Sequence, residues 1–317
     1  MTAVSHRSTG RAPEAVEADV VLVVVTYNSA AIIERLLSAI PAALEDVPSA
    51  HVVVVDNAST DNTTDVVRAA APWATIIEAG VNGGYGAGVN LGLRYARARR
   101  GVYILNPDAV PSPGSIAALT AALDRPGNVG LTVPTMLDDA GNLQCSLRRE
   151  PTLGRAIGHA VLGGTLAARF APLGERIVDP RMYVDGGTAD WATGAALMVS
   201  RQVIDEVGFW AEDFFLYSEE TEYALRARDA GYRLEYVPQA VVQHAGGDQS
   251  QSPWLWSLHA VNRVRLYRRR HGRILTSAYW AASVLNEALR AFRGGPTHRA
   301  ALRALVSGHP AVESPRS

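Results

Sequence analysis

A regular alternation of short apolar runs with helical stretches is the feature that most constrains this fold. β-Branched runs predict strands at residues 20–25, 52–55, 75–78, 102–105 and 129–133. Helical stretches separate them, at residues 30–40, 61–71, 113–123 and from a glycine-rich loop to about residue 100. Strands that are apolar on both faces are typical of parallel sheets covered by helices on both sides. The pattern therefore predicts an α/β fold with a Rossmann-like, mostly parallel central sheet flanked by helices.

Composition and charge exclude several classes of function. The net charge of the 317 residues is −1, which argues against a nucleic-acid-binding domain that depends on a basic surface. All 30 cationic residues are arginine, so lysine Schiff-base and P-loop chemistry is excluded. The single cysteine, Cys145, cannot form an intrachain disulfide, and residues 1–17 lack the apolar core of a signal peptide. We therefore expect a cytoplasmic protein.

Polar residues directly follow three of the predicted strands, where a parallel sheet binds its ligands. These strand exits are Thr26-Tyr27-Asn28, Asp56-Asn57-Ala58-Ser59 and Asn106-Pro107-Asp108. Turn formation explains any one of them equally well, because Asn, Asp, Ser and Pro favour turns. Three such exits at one edge of a sheet indicate a ligand site.

Asp108 is the best candidate for a metal ligand in these exits. A carboxylate at a strand end can bind Mg²⁺ or Mn²⁺ while a diphosphate supplies further oxygen ligands. His244 can supply a nitrogen ligand or contact a phosphate, although a lone histidine is more often structural. Asp56 can accept hydrogen bonds from a nucleobase, or it can form an Asx turn before the next helix.

The loop at residues 82–90 is rich in glycine and precedes a predicted helix. Its backbone N–H groups can approach a phosphate closely. The loop lacks the spacing of a dinucleotide-binding fingerprint, because Val89 and Leu91 occupy the positions that require the last glycine. A flexible loop that allows close helix packing is the alternative interpretation.

Glu219, Glu220 and Glu222 begin a predicted helix at residues 219–230. The helix dipole favours acidic residues there whatever their function. Aromatic residues precede them closely and would partly desolvate a carboxylate, raising its pKa towards the range of a general base. One of these glutamates can therefore deprotonate a hydroxyl group.

Taken together, these segments resemble the family two glycosyltransferases, and within that family the chain is similar to rhamnosyltransferase-like enzymes of bacteria. The resemblance spans residues 20–246 and rests on residues 24–28, 55–61, 82–90, 105–108, 193–195, 214–226 and His244. It implies a GT-A fold, here followed by a C-terminal helical extension.

The resemblance implies a donor site and a metal site. The nucleotide-sugar-binding positions are Thr26, Tyr27, Asn28, Asp56, Asn82, Gly83, Gly84, Asn90 and Asn106. Asp108 matches the metal-binding carboxylate of a DXD-type motif, in which Asn106 replaces the first aspartate. His244 matches a ligand of the metal or the diphosphate. The implied cofactor is a divalent cation, Mg²⁺ or Mn²⁺.

The general base and the reaction are implied in the same way. Acceptor-side positions are Trp191, Thr193 and Gly194. Glu220 stands where the family usually has an aspartate as base, and its longer side chain leaves the assignment open between Glu220 and Glu219. The implied reaction is a single displacement with inversion at the anomeric carbon.

The implied donor is dTDP-rhamnose, and the implied acceptor is a glycan or a polyprenyl-diphosphate-linked saccharide in cell-envelope polysaccharide assembly. UDP-sugars would satisfy most of the same contacts, so a UDP-hexose transferase is one alternative. A nucleotidyltransferase and a non-catalytic carbohydrate-binding scaffold are two others. The first strand ends in Thr26, Tyr27 and Asn28 rather than in a nucleotidyltransferase loop with a basic catalytic residue.

The chain is expected to divide into four segments. These are a disordered leader at residues 1–18, the GT-A domain at 19–250, a basic amphipathic helical extension at 251–293 and a tail at 294–317. Within the domain, residues 19–135 form the nucleotide-sugar half and 136–250 the acceptor half, with a mobile insertion at 137–185. Arg263, Arg273 and the arginines between them favour peripheral contact with the inner face of a membrane, each cation contributing about 1 kcal/mol. Packing of this helix on the domain is the alternative.

Overall fold

A ten-stranded sheet lies at the centre of the computed structural model, which describes residues 16–246, 252–292 and 295–308. The strands are β1 (Glu17–Thr26), β2 (Ala50–Asp56), β3 (Thr75–Glu78), β4 (Arg97–Leu105), β5 (Ala109–Pro111), β6 (Val129–Leu137), β7 (Leu143–Gln144), β8 (Leu147–Arg148), β9 (Gly187–Ala189), β10 (Trp191–Ala192), β11 (Ala196–Ser200) and β12 (Arg233–His244). The order across the sheet is β3-β2-β1-β4-β11-β6-β12-β5, with β7 and β9 attached to β6 and β12, while β8 and β10 form a separate pair. The pairs among β3, β2, β1 and β4, and the β6–β12 pair, are parallel, which confirms the mostly parallel sheet.

Helices cover both faces of this sheet. They are α1 (Ile33–Ala43), α2 (Thr63–Ala70), α3 (Tyr85–Tyr95), α4 (Ser115–Ala122), α5 (Leu153–Leu162), α6 (Gly164–Ala167), α7 (Pro180–Val184), α8 (Arg201–Val207), α9 (Glu219–Asp229), α10 (Pro253–Arg270), α11 (Arg273–Phe292) and α12 (Pro296–Ser307). Successive residues of β1 point to opposite faces: Val23 packs in one buried cluster with Val89 of α3, and Val24 in the other with Leu36 of α1. The uninterrupted apolar character of the strand follows from this two-sided burial.

Helix α3 ends at Tyr95, so the predicted helix to about residue 100 is too long. Residues 97–100 instead begin β4, which pairs in parallel with β1 from Glu17 onwards. Arg99 Nε lies 2.9 Å from Asp19 Oδ1 across this pair. Pairing with the central strand therefore outweighs the local helical pattern.

The segment at residues 137–185 is regular and packed, which corrects the expectation of a mobile insertion. It contains β7, β8 and helices α5 to α7. The Thr152 side chain caps α5 by accepting a hydrogen bond from Arg155 N, and the Asp179 side chain caps α7. Tyr183 of α7 packs edge-on against Tyr236 of β12, with ring centroids 5.2 Å apart. The segment therefore forms part of the domain.

The three C-terminal helices pack on one another. Ala260 and Val261 of α10 are buried against Ala301, Ala304 and Leu305 of α12. Residues 296–307 are therefore a packed helix where a tail was expected. Residues 1–15 of the expected leader and 309–317 of the expected tail lie outside the described residues, and residues 17 and 18 already belong to β1.

Most arginines of α10 face acidic groups of the protein rather than open solvent. Arg265 and Arg269 contact Asp213, and Arg270 contacts both Glu150 and Asp229. For these three residues the contacts support the alternative, packing of the helix on the domain, while membrane contact through Arg263 to Arg273 stays a prediction. In the described part of the chain, no helix combines the length and the apolar character that crossing a membrane requires.

Candidate active site

The three polar strand exits meet at one edge of the sheet, as predicted. Strand β1 pairs in parallel with β2 and with β4, and Thr26 is level with Asp56. Thr26 Oγ1 donates to Asp56 Oδ1 at 3.2 Å, and Asn57 N donates to Thr26 O at 2.8 Å. Asn28 N donates to Ser59 Oγ at 2.9 Å. The ends of β1 and β2 are thus joined into one rigid surface.

Asp56 is buried and already has local donors. Its Oδ2 accepts from Ser59 N at 3.0 Å, and its Oδ1 accepts from Ser59 Oγ at 2.5 Å in addition to Thr26 Oγ1. A carboxylate has about four acceptor positions, so at most one remains for a ligand. The local turn, which was the alternative interpretation of Asp56, accounts for most of the hydrogen bonds that this carboxylate accepts.

Asn57 connects the end of β2 to the glycine-rich loop. Its Nδ2 donates to Asn82 Oδ1 at 2.9 Å and to Gly84 O at 3.1 Å, while its Oδ1 accepts from Gly83 N at 3.2 Å. Gly84 has a φ of +89°, and a Cβ there would lie 2.2 Å from Phe215 O. Glycine is therefore required at position 84 for both its conformation and its close contact. Asn57 belongs to one of the three strand exits, but it was not predicted to be a site residue.

A cavity of about 430 Å³ opens at this edge of the sheet. Its walls include Thr26, Tyr27, Ser29, Asn57, Asn82, Gly84, Tyr85, Asn106, Phe215, Leu216, Trp254 and Leu255. Among the predicted nucleotide-sugar residues, Asn28, Asp56 and Gly83 support the wall rather than form it. The volume is in the usual range for a small-molecule site. We refer to it below as the sheet-edge cavity.

Asn90 does not reach this cavity, which corrects its assignment to the nucleotide-sugar site. It is 1% exposed. Its Nδ2 donates to Trp210 O at 2.9 Å and to Glu212 Oε1 at 2.8 Å, and its Oδ1 accepts from Trp210 N at 2.8 Å. Asn90 therefore anchors the loop before α9 to helix α3. From the sequence, its place at the end of a glycine-rich segment could not be distinguished from ligand binding.

Asp108, directly before β5, and His244, the last residue of β12, lie close together. His244 Nε2 lies 3.4 Å from Asp108 Oδ2. The other ring nitrogen, Nδ1, lies 3.3 Å from Gln144 Oε1, and Gln144 Nε2 donates to His244 O at 2.8 Å. An acceptor on Nδ1 is the arrangement that directs a histidine Nε2 lone pair towards a metal. No group of three or more acidic, histidine or cysteine ligands occurs within the described ranges.

Tyr85 links the sheet-edge cavity to the acidic residues of α9. It forms part of the cavity wall, and its hydroxyl donates to Gly194 O at 3.4 Å. Burial, together with the nearby carboxylates of Glu219, Glu220 and Asp108, holds the pKa of Tyr85 well above its usual value. The hydroxyl therefore stays protonated. Its place in the glycine-rich loop was the signal in the sequence that could have identified it.

Glu219 and Glu220 differ in accessibility. Glu219 is 3% exposed, and its Oε2 has no hydrogen-bond partner among the described residues. Burial and the neighbouring Glu220 raise its pKa well above 4.5. Burial also raises the pKa of Glu220, while backbone N–H groups and Arg148 oppose this shift. Glu220, unlike Glu219, lines a second cavity.

This second cavity has a volume of about 330 Å³ and is strongly basic. Its walls include the predicted acceptor-side residues Trp191 and Thr193, together with Glu220, Tyr217, His259, Arg148, Arg155, Arg176 and Arg263. We call this second cavity the arginine cavity. Gly194 lies directly behind Glu220. None of these four arginines was predicted to belong to the site, because residues 137–185 have weak periodicity and Arg263 lies far from the other three in the chain.

The loop that separates the two cavities has an unusual backbone. Phe215, Tyr217 and Ser218 have φ values of +64°, +68° and +79°, a region that residues with side chains rarely adopt. Asn262 of α10 is fully buried, and its Nδ2 donates to Phe214 O at 2.7 Å and to Leu216 O at 2.8 Å. Asn262 therefore holds this strained loop in place.

The sequence matches the family model for Glycosyl transferase family 2 over residues 21–186, and that for Glycosyl transferase family group 2 over residues 158–299. The N-acetylglucosaminyl-diphospho-decaprenol L-rhamnosyltransferase of Mycobacterium tuberculosis is 32% identical over 233 residues, which cover 70% of this chain and 75% of that protein. The low-salt glycan biosynthesis hexosyltransferase Agl10 of Haloferax volcanii is 31% identical over 219 residues, which cover 66% of this chain and 62% of that protein.

Solved structures show the same architecture. The mannosyltransferase PcManGT from Pyrobaculum calidifontis, solved in complex with GDP-Man and Mn²⁺, has a TM-score of 0.56 and 23% identity. The match covers 96% of this chain and 79% of that one. At this identity the likeness concerns the fold, and it confirms the expected GT-A arrangement.

Proposed function

Because the chain belongs to glycosyl transferase family 2, we propose that this glycosyltransferase moves L-rhamnose from dTDP-L-rhamnose to a lipid-diphosphate-linked N-acetylglucosamine in cell-envelope glycan assembly. The mycobacterial relative, named for a transfer to such an acceptor, supports the sugar and the acceptor class. The observation that carries the proposal is the placement of Tyr85. It lines the sheet-edge cavity while lying close to Glu220, which lines the other cavity.

The donor nucleotide fits the sheet-edge cavity. Phe215 and Trp254, whose rings lie 6.0 Å apart, provide apolar surface for a base, and Thr26 and Asn82 provide polar groups. The diphosphate would then extend towards Asn106 and Asp108. This order agrees with the general rule that open α/β sheets bind ligands at the carboxyl ends of their strands.

A divalent cation fits the pair formed by Asp108 and His244. Mg²⁺ and Mn²⁺ sites commonly use one or two protein ligands plus oxygens of the substrate phosphates and water. The carboxylate oxygen and the imidazole nitrogen lie 3.4 Å apart, with Gln144 orienting the imidazole. When bound, the cation supplies positive charge that stabilises the leaving nucleoside diphosphate. The Mn²⁺ in the Pyrobaculum structure supports a divalent cation of this kind.

Glu220 acts as the general base in the proposed reaction, because it is the glutamate of the pair that lines a cavity. Its carboxylate takes the proton of the acceptor hydroxyl. The acceptor oxygen forms a bond to the anomeric carbon as the bond from that carbon to the diphosphate oxygen breaks. Attack opposite the leaving group inverts the anomeric configuration, and the nucleoside diphosphate leaves with both electrons of the broken bond.

The test is a transfer assay with a short-chain prenyl-diphosphate-linked N-acetylglucosamine as acceptor. dTDP-L-rhamnose, UDP-glucose, UDP-galactose and GDP-mannose are supplied in turn with Mn²⁺, and the products are identified by mass spectrometry and their anomeric configuration by NMR. We expect a rhamnosylated product with inverted configuration. A product from a UDP-hexose alone would establish the hexosyltransferase alternative that the Haloferax relative supports. Retained configuration would contradict the mechanism.

A further inference from the structure

The arginine cavity beside Glu220 has an unbalanced charge. Four arginines line it, against the carboxylates of Glu175 and Glu220. Arg263 is neutralised, because both of its terminal nitrogens contact the Glu175 carboxylate and one also donates to Tyr279 Oη at 3.1 Å. The charges of the other three arginines remain to be explained.

Arg148, Arg155 and Arg176 have no carboxylate within 4.0 Å in the described part of the chain. Arg148 Nη1 donates to two backbone oxygens, Cys145 O at 2.5 Å and Leu147 O at 3.0 Å. Arg155 does the same, with Nη1 2.5 Å from Glu150 O and Nε 3.2 Å from Ala171 O. These contacts fix the side chains without neutralising their charge.

Like charges at the wall of one cavity repel, and burial makes the repulsion more costly. Burial is the main reason why the pKa of Arg148 is lowered from its usual value. Burial and the charge of Arg263 lower the pKa of His259 to about 3, so that this imidazole is neutral at pH 7. The positive charge of the cavity therefore comes from guanidinium groups, which can bind phosphate oxygens through two parallel hydrogen bonds.

We propose that the arginine cavity binds a diphosphate carried by the acceptor, placing the acceptor sugar beside Glu220. This inference rests on the proposed function, which requires an acceptor in this cavity. The donor diphosphate belongs to the separate sheet-edge cavity, so the two anionic groups do not compete for one site.

The surroundings of the cavity favour a lipid-borne diphosphate over a free one. Helices α5 and α6 contribute Arg155 and Thr165 to the cavity wall. The same two helices expose Val161 and Leu166, which are 66% and 44% accessible. Exposed apolar side chains on helices that also line an anion site suit a hydrocarbon chain attached to the anion.

The test measures binding of three probes by calorimetry in the presence of a chelator: inorganic pyrophosphate, geranyl diphosphate and geraniol. We expect geranyl diphosphate to bind at least tenfold more tightly than pyrophosphate, and geraniol not to bind. Arg176→Ala removes an exposed side chain, and we expect it to weaken the binding of pyrophosphate and of geranyl diphosphate about tenfold. The matched control is Arg181→Ala on α7, whose side chain is 83% accessible and pairs with Asp179 outside the cavity; it should change neither affinity.

Unchanged diphosphate binding in both Arg176→Ala and Arg155→Gln would overturn the proposal. Equal affinity for pyrophosphate and geranyl diphosphate would assign the cavity to a free diphosphate and overturn the role in acceptor binding. Binding of dTDP with Mn²⁺ is measured on the same samples. If wild type and Arg176→Ala bind dTDP equally, a loss of diphosphate binding concerns the arginine cavity. If wild type binds no nucleotide, it is the proposed donor chemistry that fails.

Discussion

Gly194 packs directly against Glu220: a Cβ built at position 194 would lie 2.9 Å from Glu220 Cβ and 3.1 Å from Glu220 Cγ. Real Cβ atoms do not approach other carbons this closely, because packed interiors leave no room for such overlap. The carbonyl oxygen of Gly194 also accepts a hydrogen bond from Tyr85 Oη at 3.4 Å. A single glycine thus contacts both the proposed base and Tyr85, which links this base to the sheet-edge cavity.

Gly194→Ala should therefore impair catalysis without unfolding the protein. The added methyl group displaces the Glu220 side chain, and a shift of about 1 Å in a catalytic group can cost about 100-fold in rate. We expect kcat to fall by about 10- to 100-fold, with little change in donor affinity. Gly272→Ala is the matched control, since a Cβ there meets nothing within 4 Å. Full activity in Gly194→Ala would show that Glu220 is not held by this contact.

Glu220→Gln and Glu219→Gln should differ in activity. Removing a general base costs about 10²- to 10⁴-fold in rate, and we expect this loss for Glu220→Gln only. Because burial raises the Glu220 pKa above 4.5 and the base acts when ionised, kcat/KM of wild type should fall as pH decreases through a pKa above 4.5. A profile of kcat/KM against pH measures this decrease. A larger loss in Glu219→Gln than in Glu220→Gln would reverse the assignment.

Glu219→Gln should stabilise the fold at neutral pH. The raised pKa of Glu219 means that the folded state loses stability as pH rises from the unfolded-state value through the folded-state value. A neutral amide avoids the cost of desolvating a charge, and we expect a gain of about 1–3 kcal/mol, since one pKa unit corresponds to about 1.4 kcal/mol. Urea unfolding should show that the free energy of unfolding of Glu219→Gln exceeds that of wild type at pH 8, and exceeds it by less at pH 4.5. Glu222→Gln, which breaks the 2.9 Å ion pair with Arg226, should give no gain.

Asn262→Ala should weaken donor binding from a distance. Without its hydrogen bonds to Phe214 O and Leu216 O, the strained loop that walls the sheet-edge cavity can relax. We expect the Kd for dTDP to rise about tenfold, measured well below the unfolding temperature. Leu119→Ala, a buried change in α4, provides a destabilised control that should keep its affinity. Equal affinity in Asn262→Ala and wild type would limit Asn262 to a structural role.

The sheet and the meeting of three strand exits could be predicted from the sequence, because both follow from periodicity and from the geometry of parallel strands. The run from Val20 to Val25 is apolar for the reason inferred, burial on both faces. Helix and strand limits were less accurate where tertiary pairing decides them, as at residues 97–100 in β4.

The arginine cavity could not be predicted, because no local pattern connects Arg148 on β8 with Arg263 on α10. Their proximity depends on the path of residues 137–185, which has weak periodicity. Asn90 was assigned to the nucleotide-sugar site for a related reason. An asparagine that anchors a neighbouring loop by hydrogen bonds and one that binds a ligand cannot be told apart in a single sequence. Burial, at 1% exposure, separates the two cases here.

Calorimetry measures whether donor binding depends on a divalent cation held by Asp108. dTDP-L-rhamnose, UDP-glucose, UDP-galactose and GDP-mannose are titrated into wild type and Asp108→Asn, with and without Mn²⁺. We expect that one donor, dTDP-L-rhamnose, binds wild type only with Mn²⁺, and that Asp108→Asn weakens this binding by at least tenfold. Donor binding that is equally tight without Mn²⁺ and in Asp108→Asn would contradict the proposed metal site, and no binding of any donor would contradict the proposed transfer.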